Sequence, residues 1–228
     1  MKTLIIGDIH GEITKLKALI EKAGPVDEII SVGDLIDRGE DSKAVIDLCK
    51  ALNIKVCKGN HELMAQEVLE EFDPTKPFNR MWLLGSDWFN NGGEKVYRQY
   101  EENPSELLDF IKDLPIYIKT THTHEGLPII VSHTFLGTFS NNVLNATNED
   151  LKAHESAFLW TRSQPNKHAT PSFFNIFGHT PTDYLGTKNA KPITYNYGIN
   201  LDTGACYNLE NRGKLTGILL PEMEIIQI

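Results

Sequence analysis

Three short apolar runs, Leu4-Ile5-Ile6, Ile29-Ile30-Ser31-Val32 and Ile54-Lys55-Val56-Cys57, each lead into a glycine (Gly7, Gly33, Gly59). Directly behind each glycine stands a residue whose oxygen binds hard cations: Asp8, Asp34 and Asn60. Glycine lets the chain leave a buried strand without a Cβ clash, so the carboxylate or amide arrives at the strand's carboxyl end. The intervals from Asp8 to Asp34 and from Asp34 to Asn60 are both 26 residues, about the length of a βαβ unit. Parallel strands in chain order would bring all three to one sheet edge, and three such deliveries suggest a dinuclear metal site.

The segments between fit that scheme. Ile13, Leu16, Leu19 and Ile20 recur at helical spacing over 12–22, and Gly24-Pro25 stops the helix. Strand 28–32, helix 41–51, strand 54–58 and a helix starting near His61 follow. Residues 72–103, with Pro74, Pro77 and Asn90-Asn91-Gly92-Gly93, read as a lid or small helical excursion. Trp82, Trp88 and Phe89 read as its core, with a base-stacking or groove-lining role as the alternative; Asn91-Gly92-Gly93 reads as a turn. Pro104 opens a short helix to Asp113. Strand patterns then occupy 115–120, 127–132, 173–177, 193–195, 198–202, 215–220 and 223–228, with a helix near 149–157. The expectation is a single domain over 1–228, its sheet parallel at first and antiparallel later, with helices outside. His122 and His124 fall in an expected exposed hairpin turn.

A net charge of −9 gives no general attraction to nucleic acid or anionic membranes, so a phosphorylated substrate would need a local positive site. Cys49, Cys57 and Cys206 form no CxxC pair, as in a reduced, cytoplasmic protein, and Cys57 reads as a small core residue. The N-terminal apolar run is too short for a signal peptide, and none approaches a membrane span.

Asp8 and His10, two apart at a strand end, would face one cation, and Asp34 would bridge to a second beside Asn60. His133 and His179 also follow apolar runs, 128–132 and 173–178. This nitrogen and oxygen set suits two divalent ions, manganese, iron, zinc or nickel, better than magnesium. Two such ions roughly 3.5–4 Å apart hold a bridging hydroxide and clamp both oxygens of an in-line displacement. His61 adjoins Asn60 at the rim, and Asp37 would orient its imidazole and raise its pKa, so that His61 protonates a leaving alkoxide. Arg38 would bind phosphate oxygens in bidentate fashion.

GDIHG at 7–11, GDLIDRG at 33–39, KGNHE at 58–62, SHT at 132–134, GHT at 178–180 and LDTGA at 201–205 resemble the metallophosphoesterases of the PPP type, above all bacterial and phage serine/threonine protein phosphatases. The resemblance spans residue 3 to about 220. It implies an α/β fold, a β-sandwich of mixed sheets flanked by helices in four αββα layers, with metals at the sheet ends. It implies Asp8, His10 and bridging Asp34 as ligands of one metal, and Asp34, Asn60, His133 and His179 as ligands of the other, with manganese the first expectation. It further implies Asp37 and His61 as the catalytic pair, and Arg38 and Arg162 as phosphate-binding arginines.

Thr134 departs from the alanine or glycine of many relatives, so the pocket wall there is expected to differ. The SAPNYC-like segment of eukaryotic enzymes is absent, which argues against a eukaryotic-type regulatory subunit. Asp202 and Thr203 read as a structural turn beside the site. The implied activity is hydrolysis of phosphomonoesters on phosphoprotein serine or threonine, with tyrosine also accepted. The same motifs resemble symmetrical diadenosine tetraphosphatases, and a phosphate-binding module without catalysis is the remaining alternative.

Overall fold

The computed structural model describes residues 1–71, 79–139, 141–165, 171–207 and 213–228. Its opening third alternates strand and helix: β1 (Thr3–Ile6), α1 (Ile13–Ala23), β2 (Glu28–Ser31), α2 (Ser42–Ala51), β3 (Lys55–Val56) and α3 (Asn60–Glu71). Strands β1, β2 and β3 pair in parallel, Ile5 opposite Ile30 and Ser31 opposite Val56. The described part of 72–103 is helical: α4 (Asn79–Gly85), a π-turn over Phe89–Gly93 and α5 (Glu94–Gln99). Pro74 and Pro77 lie outside the described residues. Helix α6 (Pro104–Ile111) follows, then β4 (Tyr117–His124), β5 (Leu127–Ser132), α7 (Asn148–Ala153), α8 (Glu155–Trp160) and β6 (Phe174–Phe177). The chain continues through β7 (Ile193–Tyr195), β8 (Gly198–Asn200), β9 (Thr216–Leu220) and β10 (Glu224–Gln227).

The strands form two five-stranded sheets, in the orders β10-β9-β1-β2-β3 and β4-β5-β6-β8-β7. The single sheet expected from strand order is therefore corrected. The last two strands return to pair beside β1, antiparallel to it. The second sheet has its own parallel centre, where β5, β6 and β8 run together.

Side-chain alternation along each strand makes the layers. Ile5, Ile30, Val131, Ile176, Ile199 and Ile218 meet between the sheets. Leu4 and Ile6 face the opposite way, into a core with Leu16, Leu19, Val45 and Ile46 of α1 and α2. On the far side, Ile130 packs with Phe158 and Leu159 of α8. The result is the αββα stacking that the family resemblance implied. No described helix is long and apolar enough to cross a membrane.

His122 and His124 lie on β4, not in a turn: the reversal falls at Glu125-Gly126. Both are half-buried; His122 Nε2 pairs with Thr3 Oγ1 at 3.0 Å, and the His124 ring packs against Phe174. The threonine-rich sequence masked a strand whose alternate residues face the core. Cys49 and Cys57 are buried, and burial pushes the Cys49 thiol up to about 12.

Candidate active site

Because the central strands of each sheet are parallel, their carboxyl ends share one edge, and the loops leaving them converge there. Asp8 and His10 follow β1, Asp34, Asp37 and Arg38 follow β2, and Asn60 and His61 open α3 after β3. His133 follows β5 and His179 follows β6. Five of these residues adopt the left-handed backbone region: His10 (φ 47°), Asp34 (49°), Asp37 (72°), Arg38 (67°) and His179 (69°). That conformation costs roughly 1–2 kcal/mol per residue and persists only where the surroundings hold it.

Two glycines make room. A Cβ on Gly178 would lie 1.9 Å from Asp8 Oδ1, and one on Gly59 would lie 2.2 Å from Asp34 Oδ1. Helix α3 is held to the β2 loop by Glu62. Its carboxylate accepts the backbone N–H groups of Asp34 (2.9 Å), Leu35 (2.8 Å) and Gly59 (2.9 Å). The His61 amide in turn donates to Asp34 Oδ1 at 3.1 Å.

Two groups of donor atoms result. Asn60 Oδ1 lies 2.9 Å from both His133 Nε2 and His179 Nδ1, these nitrogens are 3.1 Å apart, and Asp34 Oδ1 is 3.5 Å from His133 Nε2. On the other side, His10 Nε2 lies 3.5 Å from Asp34 Oδ2, while His10 Nδ1–H donates to the Ile36 carbonyl at 2.9 Å and leaves Nε2 a lone pair. Ligand atoms of Asp8, Asp34 and His133 lie within 4.8 Å of one another, as do those of His10, Asp34 and His61. Asp34 thus stands between both groups.

The electrostatics favour a cation in this space. Burial, then repulsion from Asp202 and Asp34, holds the Asp8 carboxyl well above its usual range. Burial would raise Asp34 too, but His133, His61, His10 and His179 pull it far down. Burial and then Asp34 push Glu62 up to about 7. The guanidinium of Arg38 already stands on the imidazole lone pairs, Nη1 donating to His10 Nε2 and Nη2 to His61 Nε2, both at 2.9 Å. Buried carboxylates facing one another, two imidazole nitrogens converging on one amide oxygen and a cation drawn onto lone pairs all fit divalent metal binding.

The four histidines divide. Burial holds His10, His133 and His179 below the ordinary imidazole value, His179 down to about 3 with His133 and Arg162 adding to the effect. At His61 burial lowers the value, but Asp34 and Asp37 outweigh it and the net shift is upward. A ring of lowered basicity keeps a lone pair for a metal; a ring of raised basicity is suited to take up and give back a proton. His61 Nδ1–H donates to Asp37 Oδ2 at 2.5 Å.

Arg162, in the segment after α8, is exposed, and its charge reaches His179, His133 and Asp202 without a side-chain bond to the cluster. The Thr134 hydroxyl turns to the Phe158 carbonyl and ties the end of β5 to α8. Asp202 Oδ1 accepts the Gly204 N–H at 3.0 Å, the bond of a local turn, and Thr203 Oγ1 donates to the Lys214 carbonyl, tying that turn to the approach to β9. Trp82 is 40% exposed, whereas Trp88 is fully buried and donates Nε1–H to Asp37 Oδ1 at 2.9 Å.

Sequence reasoning missed Glu62 and Trp88. The acidic residue three positions after Gly59 at a helix start was a usable signal for Glu62. Trp88 had none beyond the need of a buried indole N–H for an acceptor.

The profile of the family described as calcineurin-like phosphoesterase matches residues 1–202. The chain is 42% identical to serine/threonine-protein phosphatase 2 of Escherichia coli (strain K12), over 93% of this chain and 89% of that one. It is 27% identical to the asymmetrical bis(5'-nucleosyl)-tetraphosphatase PrpE of Bacillus cereus (strain AH187), over 100% and 94%. Among solved structures, a protein serine/threonine phosphatase from Saccharomyces cerevisiae superimposes with a TM-score of 0.60 at 14% identity, over 100% of this chain and 79% of that one.

Proposed function

The chain belongs to the calcineurin-like phosphoesterase family and is a metal-dependent phosphatase, and within that activity we propose that it hydrolyses phosphomonoesters of phosphoprotein serine and threonine. The observation that carries this reading is the pairing of one of the clustered histidines, His61, with the Asp37 carboxylate. Three rings whose basicity burial lowers surround Asp34 and Asn60, while the fourth, His61, is paired through Nδ1 with Asp37, which raises its basicity, and has its Nε2 beside Arg38. A phosphomonoester of a serine alkoxide needs that acid, because the leaving oxygen must be protonated.

Asp8, His10 and Asp34 would hold one divalent ion, and Asp34, Asn60, His133 and His179 the second; the donor set suits manganese. When bound, the ions supply a hydroxide nucleophile and neutralise charge on phosphorus-bound oxygens. The protein does the rest. Arg38 turns its two amino groups from the imidazoles to the phosphoryl oxygens, where planar donors match paired acceptors. Arg162 adds a second positive charge at the rim. His61, held by Asp37 at Nδ1, gives its Nε2 proton to the leaving oxygen. These cationic groups give an acidic protein the local attraction its net charge lacks.

A second reading, hydrolysis of dinucleoside polyphosphates, is favoured by a relative aligned over the entire chain, although its name specifies the asymmetrical rather than the symmetrical enzyme. One side-by-side assay of the metal-loaded protein separates them: a phosphoserine peptide, p-nitrophenyl phosphate and diadenosine tetraphosphate. The phosphomonoesters are expected to give the higher kcat/KM. A preference for diadenosine tetraphosphate would overturn the proposal in favour of the second reading.

A further inference from the structure

Trp88 lies in the helical excursion, far in sequence from the ligand-bearing loops, yet it reaches the catalytic pair. Asp37 has one fixed donor on each carboxylate oxygen: Trp88 Nε1–H on Oδ1 at 2.9 Å and His61 Nδ1–H on Oδ2 at 2.5 Å. Its own amide donates to Ser42 Oγ at 3.0 Å. The terminal torsion of an aspartate is broad. One donor leaves the carboxylate plane free to turn; two donors on opposite oxygens fix it.

The indole is itself held. A Cβ on Gly93 would lie 2.5 Å from both Cδ1 and Nε1 of the ring, so the backbone of the π-turn lies flat against it. Phe89 packs on the indole edge to face, with centroids 5.7 Å apart. The ring has no freedom to carry its N–H away from Asp37. A purely apolar core position would be served equally by phenylalanine; the N–H aimed at a buried carboxylate is the atom that packing does not explain.

We propose that Trp88 is a positioning residue for the Asp37–His61 pair: by fixing the plane of the Asp37 carboxylate it sets the direction of the His61 ring. The excursion α4–α5 thereby contributes to proton delivery without touching substrate. This inference rests on the reading of His61 as the general acid.

The test compares Trp88→Phe with the native protein, both metal-loaded, on a phosphoserine peptide and on p-nitrophenyl phosphate. Losing one donor to a buried carboxylate should lower kcat about 10-fold on the peptide and less than about 3-fold on the good leaving group, with KM little changed. A second readout is independent of turnover: in the diamagnetic zinc-loaded protein, the downfield proton resonance of His61 Nδ1–H, which should shift or broaden in Trp88→Phe. Gly93→Ala, which must push the indole aside while keeping its N–H, should reproduce both signatures. Leu83→Ala loosens the same excursion away from Asp37 and should leave the ratio of the two substrates at the native value.

An unmoved His61 resonance with an unchanged substrate ratio in both Trp88→Phe and Gly93→Ala would overturn the proposal, as would a ratio altered equally by Leu83→Ala. If His61→Asn itself shows equal losses on both substrates while the resonance still moves in Trp88→Phe, the acid assignment falls and the positioning contact stands.

Discussion

At His61, burial and two carboxylates pull in opposite directions, and the carboxylates win. The imidazolium therefore survives to higher pH than in a free histidine. Turnover of substrates that need an acid should hold at low pH and fall as pH rises through this raised value. Asp37→Asn removes one of the charges that raises it, so the fall should move to lower pH in a kcat–pH profile. His61→Asn should keep its metals by elemental analysis yet lose about 10²–10⁴-fold in kcat on a phosphoserine peptide, and less on p-nitrophenyl phosphate. Single residues were legible here wherever chemistry was local. Asp8, Asp34 and Asn60 announced themselves because strand, glycine and ligand are adjacent in the chain. Trp88 did not, because its partner Asp37 is 51 residues away and the contact exists only after the excursion folds onto the loop that follows β2.

Among the elements, α8 leads into Arg162, the second arginine proposed to bind phosphate. It ends at Trp160, two residues before Arg162, and is tied to the end of β5 by the Thr134 hydroxyl on the Phe158 carbonyl. Thr134→Val keeps the shape and removes that bond, leaving a buried carbonyl unpaired. Loosening this anchor by about 1 kcal/mol should raise KM for phosphopeptide about 5-fold and change kcat little, measured by initial rates. An unchanged KM would show that α8 does not set the place of Arg162. Helices and strands were legible from their periodicity, often to within a residue or two, but their assembly was not. Strand order suggested one sheet, whereas β9 and β10 return to flank β1 and leave β5, β6 and β8 to form a second. Nothing local encodes a partner two hundred residues away. Only the motif resemblance pointed to a sandwich.

Across the whole molecule, the site gathers buried carboxylates at the edge shared by two sheets, in a protein of net charge −9. Bound cations should therefore stabilise the fold as well as the chemistry. Removing them with a chelator should lower Tm by roughly 5–10 °C, as expected for a ligand held well above its Kd, with recovery on adding manganese. An unmoved Tm would mean that the carboxylates tolerate one another unaided. The most direct measurement of the central claim is anomalous diffraction from crystals of the manganese-loaded protein. Two peaks per chain are expected, one bounded by Asp8, His10 and Asp34 and the other by Asp34, Asn60, His133 and His179. A single peak in fully loaded crystals, with Asn60 and His179 turned away from it, would contradict a dinuclear site.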